Sequence, residues 1–226
     1  MSVSAFSEEW VGVNDDREVF NIVLILDESG SMSSLGNEPE NCVNGFVEQM
    51  KAAGLDKQKK VLFSLYRFGT NDPTQITVSY KKVELKDIPD KHGFKPCGFT
   101  PMYDAIGMAL KDNEGVRNGV CHIITDGHEN ASQSYTHAQV FSMIEHMEKN
   151  LNWTFQYTGA GKDTYAVAQS LGVSAQHTVQ YDTCCDGAAS VAIGFNAGWS
   201  SQGANAIAIG MNVGSQGTHS ITTIPV

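Results

Sequence analysis

One stretch constrains this chain more than any other: Ile22-Val23-Leu24-Ile25-Leu26-Asp27-Glu28-Ser29-Gly30-Ser31. The apolar run from Ile22 to Leu26 reads as a buried strand, and it stops abruptly at Asp27. Two hydroxyls then follow at alternate positions, with Gly30 between them to allow a tight turn. The spacing Asp27-x-Ser29-x-Ser31 aims three hard oxygen donors at one point just past a strand end. In an open α/β sheet, ligands bind in the crevice beyond the carboxyl ends of the strands. One carboxylate and two hydroxyls suit Mg²⁺ or Mn²⁺ rather than a soft metal. The plain alternative is an Asp/Ser turn that caps the next helix.

Two later stretches decide between these readings. Gly98-Phe99-Thr100-Pro101-Met102 places a threonine just before a helical pattern, and His122-Ile123-Ile124-Thr125-Asp126-Gly127 is a second buried strand ending in Asp-Gly. With these in hand, the chain resembles the von Willebrand factor type A (vWA) domain and its metal-ion-dependent adhesion site, or MIDAS. The motif falls on Asp27, Ser29 and Ser31, the isolated threonine on Thr100 and the last aspartate on Asp126. The resemblance covers roughly residues 19 to 182. It implies a Mg²⁺ site, with Mn²⁺ or Ca²⁺ as substitutes. It also implies that a partner's Asp or Glu carboxylate completes the coordination.

The alternation of strand and helix patterns over residues 19–182 predicts a doubly wound, mostly parallel α/β sheet with helices on both faces. Strands are expected over Val19–Leu26, Lys60–Phe68, Thr74–Leu85, Gly119–Thr125, Trp153–Thr158 and His177–Tyr181. Helices are expected over Glu38–Lys51, Met102–Lys111, Thr136–Asn150 and Thr164–Leu171. The short turn at Asn71-Asp72-Pro73 makes the third strand antiparallel to the second, and Lys81 and Lys82 mark it as an edge. Gly159-Ala160-Gly161 reads as a glycine-rich turn. With Lys162 it imitates a phosphate loop but lacks that motif's spacing.

Composition narrows the function classes. The chain has 226 residues, 41% hydrophobic and 18% charged, with a net charge of −10. That is enough chain for one sizeable core, and its acidity disfavours nucleic acid or an anionic membrane as partner. No apolar run approaches a membrane span and no signal pattern opens the sequence, so the expected location is cytoplasmic, or a virion. The five cysteines lack zinc spacing and are expected to be reduced, the adjacent Cys184 and Cys185 included.

Beyond Asp186 the character of the chain changes. Residues 187–226 hold no Asp, Glu, Lys or Arg. Gly187-Ala188-Ala189-Ser190-Val191-Ala192-Ile193-Gly194 returns as Gly203-Ala204-Asn205-Ala206-Ile207-Ala208-Ile209-Gly210, and a weaker copy begins at Gly217. The tail resembles the AIG-type repeats of trimeric adhesin heads and of some large-virus proteins, built of short stacked strands. A competing pattern exists: Val191, Phe195 and Trp199 stand at helical spacing, as in a last covering helix, although Gly194 and Gly198 would cost about 1 kcal/mol each there. The expected division is an N-terminal extension (1–18, anchored by Trp10), a vWA domain (19–186) and an uncharged tail (187–226) available for self-association.

The expected function is therefore metal-dependent protein binding, for adhesion or assembly, and not an enzyme. One alternative is a structural component of a virion or other large assembly, attached through the tail. A second is a metal-dependent hydrolase, for which His128 and Glu129 are the available general bases. Glu28, inside the motif, is expected to be a solvated rim charge.

Overall fold

The structure is a computed structural model that describes residues 18–52, 59–126, 128–181, 191–193 and 207–209; residue 181 and the last two segments are described as backbone. Six strands form one sheet: β1 (Val19–Asp27), β2 (Lys60–Phe68), β3 (Thr77–Glu84), β4 (Gly119–Thr125), β5 (Trp153–Ala160) and β6 (Thr178–Tyr181). Their order is β3-β2-β1-β4-β5-β6. All neighbours are parallel except β2 and β3, which are antiparallel. β1 lies at the point where the chain order reverses, flanked by β2 and β4. Such a switch point leaves a crevice at the strands' carboxyl ends.

Among the described residues the α-helices are α1 (Glu38–Ala52), α2 (Met102–Asp112), α3 (His137–Leu151) and α4 (Thr164–Ser170). Alternate residues of the central strands face opposite layers. Ile22, Leu24 and Leu26 pack with Val43, Phe46, Val47 and Met50 of α1. Val23 and Ile25 pack with Ile106 and Leu110 of α2 and Val140 and Ile144 of α3. All five apolar residues from Ile22 to Leu26 are buried, as a central strand covered on both faces requires. This is the doubly wound α/β arrangement of vWA-type domains.

Helix starts follow local chemistry. Thr136 caps α3 reciprocally with Gln139: the Thr136 hydroxyl accepts the Gln139 N–H, and the Gln139 side chain accepts the Thr136 N–H. At the β3 edge the ladder is irregular, Lys82 takes a positive φ of 53°, and its N–H donates to the Ser64 hydroxyl. Lys81 pairs with Asp112, and the Lys82 ammonium donates to the Asp112 carbonyl. Bulge and lysines together blunt this edge against pairing with another chain.

One expectation changes, and one element is new. Gly159 and Ala160 are not a turn: β5 runs through both and pairs with Thr125 on one side and with Gln180 and Tyr181 on the other. A side chain at Gly159 would meet Thr164 at 2.8 Å, so this glycine serves a close approach of strand to helix. Between β1 and α1 lies a short 3-10 turn, Gly30–Leu35, that the hydrophobic pattern does not announce.

The N-terminal extension falls outside the described residues, apart from Glu18, and so does most of the tail. Within the tail, β7 (Val191–Ile193) and β8 (Ile207–Ile209) pair in parallel, with Val191 opposite Ile207, Ala192 opposite Ala208 and Ile193 opposite Ile209. At these three positions the two sequence copies meet residue for residue. Because Val191–Ile193 is extended, a continuous helix from 188 to 201 is not formed.

Candidate metal centre

β1 delivers Asp27 to the carboxyl end of the sheet, where its side chain is fully buried. The Ser29 N–H donates to Asp27 Oδ1 at 2.6 Å, and the Thr125 hydroxyl donates to Oδ2 at 2.5 Å. Ser29 Oγ lies 3.2 Å from Ser31 Oγ, and the Ser31 hydroxyl donates to Asp126 Oδ1 at 2.8 Å. Asp27, Ser29, Ser31 and Asp126 therefore form one connected chain across the ends of β1 and β4.

Thr100 sits on the adjoining loop and is buried. Its N–H donates to Asn130 Oδ1 at 2.9 Å, and its carbonyl accepts the Asn130 N–H. The same loop is laced to the motif: the Gly30 N–H donates to the Gly98 carbonyl, and the Cys97 N–H to the Glu28 carbonyl. Backbones stack so closely here that only glycine fits. At Gly98 (φ 74°) a Cβ would fall 2.0 Å from the Thr70 oxygen, and at Gly69 (φ 116°) 2.1 Å from the Glu28 carbonyl carbon.

The electrostatics fit a cation. Burial pushes the Asp27 carboxyl up to about 6, with the Asp126 charge adding to the effect. Burial also raises Asp126. Among the described residues neither carboxylate forms an ion pair. Asp27, whose ionisation burial and the Asp126 charge disfavour, and Asp126, with the hydroxyls of Ser29, Ser31 and Thr125 beside them and no Lys or Arg ion pair among the described residues, make a donor set that a hard divalent cation would complete.

Glu28 corrects the sequence reading. It is not a solvated rim charge: its Oε1 pairs with Arg67 Nη1 at 3.0 Å, and the two side chains are only 15% and 14% exposed. Burial raises the Glu28 carboxyl and Arg67 opposes that rise. Arg67 also donates to the Gly93 carbonyl, which fastens the loop leading to Thr100.

Three further residues act here in roles the sequence does not show. Thr125 fixes Asp27 from the end of β4. Asp104 accepts the N–H groups of Gln133, Ser134 and Tyr135 at 2.8, 2.9 and 2.7 Å. Glu129 accepts the N–H groups of Tyr103, Ala131 and Ser132, plus the Ser132 hydroxyl, all within 2.9 Å. These two carboxylates lace the loop after β4 to the start of α2. Glu129 is thereby committed as an acceptor. His128 projects outward, 71% exposed, with its Nε2 3.6 Å from Asp163. Neither has the paired geometry of a general base poised over a nucleophile.

No protein-family model matches the sequence, and no curated protein matches it. Solved structures do match in fold. Proximal thread matrix protein 1 from the mussel byssus aligns with 73% of this chain and 42% of its own, at 18% identity and a TM-score of 0.50. Another form of that protein is described with a zinc-occupied MIDAS motif. The manganese-loaded TRAP protein of Plasmodium vivax aligns over 74% of this chain and 69% of its own, at 13% identity and a TM-score of 0.50. The SpRpn10 VWA domain aligns over 73% and 88%, at 14% identity and a TM-score of 0.46. The chain thus spans less than half the length of the mussel protein, and what it shares with these proteins is the fold. No described helix is long and apolar enough to cross a membrane.

Proposed function

We propose that this chain is a divalent-cation-dependent protein-binding module. Asp27, Ser29, Ser31, Thr100 and Asp126 would hold the ion, with Mg²⁺ the natural occupant and Mn²⁺ or Ca²⁺ as substitutes. The ion supplies a positive centre with an open position, and an Asp or Glu carboxylate of a protein partner fills it. One observation carries the reading: a hydrogen-bonded chain joins two carboxylates, one of them fully buried, with no ion-pair partner for either among the described residues. Burying such a charge without compensation is costly, and a bound cation removes the cost. The commitment of Glu129 to backbone N–H groups favours binding over hydrolysis at this site. The test is affinity capture on the full chain, with Mg²⁺ and with EDTA. A partner retained in Mg²⁺ and released by EDTA supports the proposal, whereas equal retention in both argues for the assembly reading.

The assembly reading, with the tail attaching the chain to a virion or other large structure, draws on the in-register pairing of β7 with β8. Two strands of three residues do not make a stable sheet by themselves, so the repeats call for more strands, from this chain or from another copy. It goes with the division into an extension (1–18), a vWA domain (19–186) and a repeat tail (187–226). Ile193→Lys with Ile209→Lys in the full chain should then lower the molecular mass measured by light scattering without altering metal binding. An unchanged mass removes this second reading.

A further inference from the structure

The candidate metal centre has aromatic neighbours. Of the large apolar side chains among the described residues, the two most exposed are Phe99 and Tyr165, each at 48%. Both lie at the carboxyl end of the sheet. Phe99 immediately precedes Thr100, and its N–H donates to the Thr70 carbonyl at 3.1 Å, which holds it past the end of β2. Tyr165 stands in the first turn of α4, the helix that follows β5. In the order β2-β1-β4-β5, the centre at the ends of β1 and β4 falls between them. Exposed aromatic rings beside a polar centre are the residue types that anchor protein interfaces.

Spacing and charge together define what would fit. From β2 to β5 is three interstrand steps, about 14 Å. An extended segment turns residues i−2, i and i+2 to one face, over about 13 Å. The two lengths agree. The rim carries exposed Asp72 and Asp163 beside exposed Lys95 and Lys162, while the whole chain carries a net charge of −10. A run of carboxylates would be repelled, while a single one, offset by the cation, would not.

We propose, building on the metal-dependent reading above, that the partner is an extended protein segment with one Asp or Glu and an apolar side chain two residues to either side. The carboxylate meets the cation, and the flanking side chains rest on Phe99 and Tyr165.

The test uses the immobilised full chain in Mg²⁺ and short synthetic peptides of three kinds: Leu-x-Glu-x-Leu, Ser-x-Glu-x-Ser and Glu-x-Glu-x-Glu. Each is also made with Gln in place of the central Glu. The Leu-flanked peptide should bind roughly tenfold tighter than either of the others. Phe99→Ser and Tyr165→Ser should each shrink that preference severalfold, with thermal melts showing both variants folded. Binding that needs the central Glu and Mg²⁺ but ignores the flanks, or ignores both substitutions, overturns this inference and leaves the metal-dependent reading in place. Binding indifferent to the central Glu and to EDTA, or absent for every peptide, overturns both.

Discussion

Two sets of carboxylates sit at the same end of this sheet and meet opposite conditions. Asp104 and Glu129 are surrounded by donors: each accepts three backbone N–H groups, and Glu129 a serine hydroxyl as well. Asp27 and Asp126 lie within the hydroxyl chain of Ser29 and Ser31, carry raised pKa values and have no cationic partner among the described residues. The first pair holds loops in place and is complete as it stands. The second pair would, on the proposed function, be completed by a bound cation. Acidic residues close in space thus divide into structural and functional ones by the donors each receives, which the residue type alone does not reveal.

This contrast predicts stability effects of opposite sign. Asp104→Ala strips the acceptor from three N–H groups near the start of α2. At about 1 kcal/mol or more for each orphaned donor, it should destabilise the fold by about 3–4 kcal/mol in urea titrations. A loss under 1 kcal/mol would mean that this carboxylate does not brace the loop.

Asp27→Asn should do the reverse in the metal-free protein. The Asp27 pKa rises from its ordinary 3.8 to about 6, so between those values the folded state binds more protons than the unfolded state. Its contribution to stability is therefore present below pH 4 and lost as pH rises through 6, by about 3 kcal/mol at most. Asparagine has no such dependence. The variant should match the wild type near pH 4 and exceed it near pH 7, a difference read from urea midpoints across that range. His122 complicates the absolute curve but not the difference. Burial pushes its pKa from 6.5 down to about 4, so its contribution has the opposite slope, rising with pH over nearly the same window. The two slopes oppose each other in the wild type, and Asp27→Asn should expose the one from His122.

Glu28 lies between the two cases, and Arg67 is what makes it structural. Arg67→Ala should cost about 2 kcal/mol by leaving a half-buried carboxylate unpaired. Removing both partners, Glu28→Gln with Arg67→Ala, should cost less than the sum of the single changes, as a double-mutant cycle would show.

Much of this was legible in the sequence. The buried run Ile22–Leu26, the abrupt Asp27 and the alternate serines marked the strand end that faces the crevice, and the helical pattern over Glu38–Lys51 marked α1. Local signals of this kind need only a few neighbouring residues. What escaped depends on distant partners. Glu28 looks like a surface charge until β2 places Arg67, 39 residues away, beside it. Thr125 is an ordinary strand residue until β4 pairs with β1 and brings its hydroxyl to Asp27. Gly159 resembles a turn because its neighbours are Ala160 and Gly161, but its reason is the approach of Thr164.

The proposed function makes Asp27 and Asp126 together the charged half of a cation site. Isothermal titration of the full chain with Mg²⁺ and with Mn²⁺, beside the Asp27→Asn/Asp126→Asn double variant, tests it directly. Loss of outer-shell partners alone weakens metal sites 10–100-fold, so loss of two charged ligands should weaken binding by more than about 100-fold. The wild type should give a one-site isotherm and the double variant no measurable heat of binding, with both proteins unfolding cooperatively. Equal affinity in the two proteins would contradict it.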